Sequence, residues 1–220
     1  MIYVVATPIG NLEDITLRAL SVLKDVKYIL CEDTRVTKKL LDRYEINNKK
    51  LISYHQHSKQ KKVDSLIELI KDNDVALVTD AGTPGISDPG NMLIRDLVNS
   101  ENLDIIPIPG TSAVTTALSI SGLPTDNFIF LGFIPHKKGK QKMLKEIWKE
   151  KKTTVFYESK HRIVKTLNIL KEFRTKDKKF VVCRELTKKF ETIYRGDIEE
   201  VLGQVENDKV KGEYVVVVGV

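Results

Sequence analysis

Only two of the 220 residues are cysteine, and no apolar run approaches the roughly 20 residues that span a bilayer. Cys31 and Cys183 each follow a strand-like run, VKYIL and KFVV, which is where half-buried thiols sit. That reading is favoured over a metal or disulfide role for the pair, and nothing points to an oxidising compartment. The longest apolar stretches, YVVVVGV (214–220) and VVAT (4–7), are strand-length. The N-terminus, MIYVVATPIG, lacks the basic leader and small-residue cleavage site of a signal peptide and reads as a buried first strand. The expected location is the cytoplasm, with no membrane association. Nucleotide fingerprints are missing as well: there is no GxGxxG after a strand and no GxxxxGK followed by Ser or Thr. That absence argues against dinucleotide dehydrogenases and P-loop NTPases.

What is present is a soluble composition, 41% hydrophobic and 30% charged. Charge is unevenly placed. Residues 1–110 hold 14 Lys and Arg against 16 Asp and Glu, a balance of −2, whereas residues 111–220 hold 22 against 14, a balance of +8. Within 136–189 the count is 19 basic to 6 acidic, including HKKGKQK (136–142) and KEKK (149–152). Such a region is either a solvated lysine surface or the footprint of a polyanion, since clustered Lys and Arg release counterions from phosphates.

Apolar runs at 2–7, 26–31, 51–53, 75–79 and 104–108 alternate with amphipathic stretches at 15–25, 36–44, 62–72, 92–100 and 112–120. Continuous apolar strands between helices predict a buried, mostly parallel sheet. SGLPTDN (121–127) interrupts the pattern and reads as a linker between a domain at 1–120 and another at 128–220. Beyond it, strands at 128–133, 153–157, 179–183, 190–195 and 213–219 are interleaved with helices near 139–151, 161–173 and 197–205. KKFETIYRGD (188–197) alternates apolar and polar residues, the mark of an antiparallel strand with one wet face, so the second sheet is expected to be mixed.

Ligands of open α/β sheets bind beyond the carboxyl ends of the strands. The loops there are TPIGN (7–11), EDTR (32–35), YHQH (54–57), DAGTPGISDPG (80–90) and PGTSA (109–113). Glycine and proline are scarce, 12 and 7 in the chain, yet three and two of them stand in DAGTPGISDPG with two aspartates. Asp88 or Asn91 with Pro89 would start the next helix; the rest exceeds what a short connection needs and suits a ligand approached by backbone. In EDTR, Asp33 or Thr34 can cap a helix, which leaves Glu32 and Arg35 for other work. His55 and His57 lack a third ligand of suitable spacing, so a substrate-contacting or structural role is favoured over a metal. His161 and Arg162 in YESKHR (157–162), with the run CRELTKKFE (183–191), are candidate phosphate or substrate contacts.

TPIGNLEDIT, EDTR, YHQH, DAGTPGISDPG, PGTSA, SGLPTDNFIFLGFIP, YESKHR, CRELTKKFET and KGEYVVVVG, in this order over the whole chain, resemble the tetrapyrrole-methylase-like (class III) S-adenosylmethionine-dependent methyltransferases. DAGTPGISDPG and CRELTKKFE resemble in particular the branch that methylates a ribose 2′-hydroxyl of a decoding-site cytidine in 16S rRNA of the small ribosomal subunit. The resemblance implies two α/β domains, the N-terminal one a mostly parallel sheet with flanking helices and the C-terminal one a mixed sheet, with S-adenosylmethionine in the cleft between them, and a homodimer. It implies cofactor contacts from Pro8, Ile9, Gly82, Thr83, Ile86, Ser112 and Ala113, with Tyr157, Cys183 and Glu213 from the second domain. Arg35, His55, His161, Arg162, Arg184 and Lys188 are the candidate substrate contacts.

Methyl transfer from a sulfonium is an in-line displacement, so alignment supplies much of the rate. A 2′-hydroxyl is a poor nucleophile at neutral pH, and a positioned base adds about 10²–10⁴-fold. Asp33 and Glu185 are the candidate bases, with Lys189 as an activator if burial depresses it. Two other readings fit the same residues: a methylase of a small tetrapyrrole-like molecule, and an RNA-binding protein without catalysis.

Overall fold

The computed structural model describes residues 1–55, 60–99, 103–175 and 177–219. They form two compact units, Met1–Ser112 and Ala113–Val220. In the first, β1 (Ile2–Val5), β2 (Tyr28–Cys31), β3 (Lys50–Ser53), β4 (Val75–Leu77) and β5 (Ile105–Ile108) form one sheet in the order β3-β2-β4-β1-β5. Every pairing in it is parallel. The crossovers are α1 (Leu17–Asp25), α2 (Thr34–Arg43), α3 (Gln60–Asp72) and α4 (Gly90–Val98).

The apolar runs have no polar alternation because both faces of this sheet are covered. Ile29 and Cys31 pack with Ala19 and Leu23 of α1 and Leu41 of α2. Leu30, between them, points the other way into Leu66 and Ile70 of α3 and Leu93 and Leu97 of α4. Successive strand side chains alternate in direction, so one YILC segment serves two helical layers. Helix starts follow local chemistry: the Thr16 and Asp33 side chains accept the Ala19 and Arg35 amides as N-caps. The single strand proline, Pro107, stands on the edge strand β5, where no further ladder needs its missing N–H.

The second unit opens with α5 (Ala113–Ser119). Its sheet runs β6-β7-β10-β8-β9, made of β6 (Phe128–Phe133), β7 (Thr153–Ser159), β10 (Glu213–Gly219), β8 (Lys179–Arg184) and β9 (Thr192–Gly196). β6 and β7 are parallel and the other pairs antiparallel, so the sheet is mixed. The helices α6 (Lys140–Lys149), α7 (Ile163–Glu172) and α8 (Ile198–Asn207) cover one face. Tyr214, Val216 and Val218 of the central strand enter that core with Phe156, Trp148 and Leu167. Val215 and Val217 alternate with them and are buried too, because α5 packs against β7 and β10 on the opposite side. The break between units therefore falls at Ser112, ahead of SGLPTDN: α5 is held to the second sheet, which takes it out of the domain expected at 1–120. β9 is the antiparallel strand with one wet face foreseen from its alternation, with Tyr194 inward and Arg195 outward, and it stands at the sheet edge.

Candidate functional site

In the first unit α1 and α4 lie on opposite faces, while the strands that precede them, β1 and β4, are neighbours. Their connections diverge there, and such a switch point opens a crevice at the carboxyl ends of the strands. Instead of splaying, the two loops are laced. Thr7 N–H donates to Gly82 O at 2.9 Å and Gly82 N–H returns to Thr7 O at 3.0 Å. Thr7 Oγ1 donates to Thr79 O at 3.0 Å, Thr83 Oγ1 to Thr111 O at 3.0 Å, and Thr111 Oγ1 to Thr7 O. Loops after β1, β4 and β5 thus become one surface.

Glycine is needed at two points of it. Gly82 has φ +87°, the left-handed region that L side chains avoid. A Cβ on Gly110 would stand 2.9 Å from the Ala6 Cβ, so the β5 loop approaches β1 only without a side chain. Asp88 completes the turn: its carboxylate accepts the Gly85 amide at 2.8 Å and the Gly90 amide at 2.6 Å, with Pro89 at the N-cap of α4. Pro8, Ile9 and Gly82 are buried, Thr83 and Ser112 half-buried, and Ile86 half-exposed at the rim. This ledge of close-set backbone with an exposed apolar side chain fits the adenosine-and-methionine ligand that the resemblance implies.

Beside it lies an acidic corner. Asp33 accepts the Arg35 amide at 2.8 Å and the guanidinium at 2.6 and 3.0 Å, and this side-chain pairing with Arg35 holds its carboxyl down at about 2. The Asp33 amide donates to Asp80 Oδ1 at 2.9 Å. Burial raises Glu32 above the usual carboxylate range, and Asp80 raises it further. Burial likewise raises Asp80. Glu32 accepts from Thr79 Oγ1 at 3.3 Å and lines a cavity of about 10 Å³ with Tyr54, Asp88 and Gly90, room for about one water. His55 is exposed near these carboxylates; Gln56 and His57 lie outside the described residues. Among the described residues no three His, Cys, Asp or Glu side chains converge as a metal site requires.

In the second unit the YESKHR segment folds around a buried charge. Glu158, 1% exposed, pairs with Arg162 at 2.7 Å and accepts Thr166 Oγ1 at 2.7 Å, while Lys140 Nζ donates to Thr166 Oγ1 at 2.8 Å. Arg162 also donates to Ile134 O at 2.8 Å. Lys140, from the basic HKKGKQK, therefore points inward, and Arg162, expected as a phosphate contact, holds the start of that segment instead. His161 is exposed.

The CRELTKKFE segment is a rigid turn. Glu185 and Thr187 have φ +52° and +63°. Such values are uncommon for side-chain-bearing residues and persist where surroundings over-determine them. Glu185 accepts Lys188 Nζ at 2.9 Å and the Glu213 amide at 3.0 Å, and Lys188 reaches Glu213 at 2.8 Å. Burial would raise the Glu185 carboxyl, yet Lys188 and that amide outweigh it and hold it below its ordinary range. Arg184, expected to meet substrate, is buried: it pairs with Asp208 at 3.0 Å and donates to Lys209 O and Thr192 Oγ1. Lys189 is exposed, so the burial on which its activating role depended is absent. Cys183 is fully buried in β8, which pushes its thiol up to about 12. Tyr157 is half-buried, its hydroxyl bonded to the Val114 backbone beside Ala113; burial raises it above its ordinary value. Glu158, Thr166 and the threonines of the ledge were not legible as site residues, because only the fold brings Lys140 to Thr166 or Thr111 to Thr7.

The family model for Tetrapyrrole (Corrin/Porphyrin) Methylases matches residues 1–202. The chain is 46% identical over 219 residues to the "Ribosomal RNA small subunit methyltransferase I" of Halalkalibacterium halodurans, covering 99% of this chain and 75% of that one. It is 44% identical to the protein of the same name from Bacillus subtilis, covering 99% and 74%. To that from Mycoplasmopsis pulmonis it is 46% identical, covering 98% and 96%. Among solved structures, the methyltransferase CobJ superposes with a TM-score of 0.70 at 18% identity, over 99% of this chain and 93% of its own. A uroporphyrin-III-C-methyltransferase from Thermus thermophilus superposes with a TM-score of 0.69 at 20% identity, over the same shares. At these identities the structural likeness is one of fold.

Gly82→Ala forces a side chain into φ +87°, a cost of about 1–2 kcal/mol; a lowered urea midpoint together with weaker cofactor binding by calorimetry is the expected pair of results. Glu158→Ala leaves Lys140 and Arg162 without their buried counter-charge and is expected to cost about 3–5 kcal/mol, read from the same unfolding curves.

Proposed function

The chain belongs to the tetrapyrrole (corrin/porphyrin) methylases, and on that premise we propose that it transfers a methyl group from S-adenosylmethionine to a ribose 2′-hydroxyl of a decoding-site cytidine in 16S rRNA. The observation that carries this reading is the near full-length match to proteins named for the small-subunit ribosomal RNA, at more than twice the identity of the porphyrin and corrin enzymes that share the fold. The reading includes action on the small ribosomal subunit, in the cytoplasm, as a homodimer.

When bound, S-adenosylmethionine supplies a methyl carbon made electrophilic by its sulfonium. The ledge of Pro8, Ile9, Gly82, Thr83, Ile86 and Ser112 holds and orients that ligand. Backbone N–H and C=O groups not used in the lacing serve its polar ends, and Ile86 gives it apolar cover. Because the loops are tied to one another, they need not be ordered when the ligand arrives, which lowers the entropic cost of binding.

Taking a proton from a ribose hydroxyl calls for a base whose pKa approaches the working pH. Asp33, at about 2 under the grip of Arg35, is a weak acceptor. Glu185, held below its ordinary range, is another. Glu32 suits the role better: burial and Asp80 raise its carboxyl while Arg35 holds the adjacent Asp33 down, and carboxyls whose surroundings push them in opposite directions are the candidates for acid and base. Asp33 then serves to aim Arg35, which is exposed and able to meet a phosphate. The exposed lysines 137, 138, 142 and 145 of the second unit meet further phosphates.

Tritium transfer from labelled S-adenosylmethionine to undermethylated small subunits, to naked 16S rRNA and to a porphyrinoid mixture tests the reading; label on the porphyrinoid alone would overturn it. Glu32→Gln is expected to lose about 10²–10⁴-fold in kcat with cofactor affinity kept, whereas Asp33→Asn and Glu185→Gln keep most turnover at saturating RNA. A raised carboxyl takes up its proton before an ordinary one as pH falls. The acid limb of the wild-type pH–rate profile is therefore expected at a higher pH than an ordinary glutamate would give and should vanish in Glu32→Gln. RNA affinity is expected to fall with added salt at a slope of about −0.7 per phosphate met; a flat dependence, checked by filter binding, would exclude the phosphate contacts.

A further inference from the structure

Phe190, at the tip of the turn between β8 and β9, is 68% exposed. A phenylalanine so placed contributes little to the core, and a flexible turn would fold it away. This turn does not bend freely. Its backbone carries the positive φ values of Glu185 and Thr187, and the Lys188 and Glu191 amides donate to Glu185 O and Lys188 O at 2.9 and 3.0 Å. Glu191 accepts the Thr187 amide at 2.7 Å, and the buried Arg184 holds the Phe190 carbonyl at 3.3 Å and Thr192 Oγ1 at 2.8 Å. The next side chain, Lys189, sets its ammonium 5.7 Å from the centre of the Phe190 ring. Phe133 is exposed as well, but its ring packs on Tyr157 at 5.2 Å.

The geometry points to Phe190 as a stacking platform for an unpaired base of the RNA, with Lys189 on the adjoining phosphate. An exposed ring on a fixed backbone beside a cation, in the half of the chain that carries +8, is the pairing by which proteins hold single-stranded nucleic acid: an aromatic face for a base and a positive charge for the backbone. A protein partner would gain from the ring but not from the ammonium held beside it. Rigidity adds to the effect, since a platform already in place loses no conformational freedom on binding. This assignment rests on the RNA-methylating reading above and adds to it the residue that grips a base.

The full-length protein is titrated with a short oligocytidylate and with undermethylated small subunits. Base–aromatic stacking is worth about 1–3 kcal/mol, so Phe190→Ala is expected to raise Kd about 5- to 150-fold for the oligonucleotide, with the salt slope unchanged. Lys189→Gln is expected to lower that slope. Phe190→Trp is expected to retain affinity and to show indole quenching when RNA binds, a signal that the buried Trp148 does not give. Wild-type affinity in Phe190→Ala, or an indole in Phe190→Trp that RNA leaves unchanged, overturns the assignment. So does a loss in Phe190→Ala that tracks a change in oligomeric state by sedimentation, which would place the ring between copies of the chain. Methylation of small subunits by the wild-type protein in the same preparations separates the two ideas: its absence sinks the proposed function, whereas its presence with an unaffected Phe190→Ala sinks only the platform.

Discussion

The reciprocal hydrogen bonds between Thr7 and Gly82 are the constraint on which the first unit's site depends. At a switch point the strands end and their helices leave for opposite faces, so nothing in the sheet itself keeps the two loops together. A two-bond antiparallel bridge continues the pairing past the end of a parallel sheet and satisfies backbone groups that would otherwise be buried unpaired. Thr79, Thr83 and Thr111 extend it with hydroxyl-to-carbonyl bonds. The backbone of these loops is thereby held at fixed positions. The result is a built surface, which distinguishes this arrangement from a glycine-rich loop that wraps a phosphate.

The second unit solves a different problem, that of keeping many cations without losing shape. It does so by turning a few of them inward. Lys140 and Arg162 surround Glu158 and Thr166, and Arg184 faces Asp208 and the turn at 185–192. Removing one partner from such a group is costly because the others stay buried, so these contacts tie α6, α7 and the end of β7 into one piece. The lysines left outside form the basic surface. A high local count of Lys and Arg thus divides into a structural set and a solvent-facing set, and the two cannot be told apart by charge.

Much of the architecture was legible along the chain. YILC and VVVV announce strands covered on both sides, KKFETIYRGD an antiparallel strand with one wet face, and DAGTPGISDPG a turn with more glycine than a turn needs. Asp88 and Pro89 start α4 as their residue types suggest, and Asp33 caps α2. Less legible was the boundary between units, because α5 looks like any amphipathic helix until the sheet it packs against is known. The states of the carboxyls were the least legible. Asp33 and Glu32 are adjacent, of nearly identical chemistry, and have opposite shifts, one gripped by Arg35 and the other buried beside Asp80.

Hydrophobic periodicity, cap residues and the placing of glycine and proline are local quantities, set by a residue and its near neighbours. The sequence by itself therefore determined the order and type of the elements, the loops that could bear chemistry, and the family. Which cation faces inward, which carboxyl is raised, and which threonine ties which loop depend on distances between residues as far apart in the chain as Thr7 and Thr111. Solvation and Coulomb interactions follow those distances and not the spacing along the chain, and only the tertiary structure decided them.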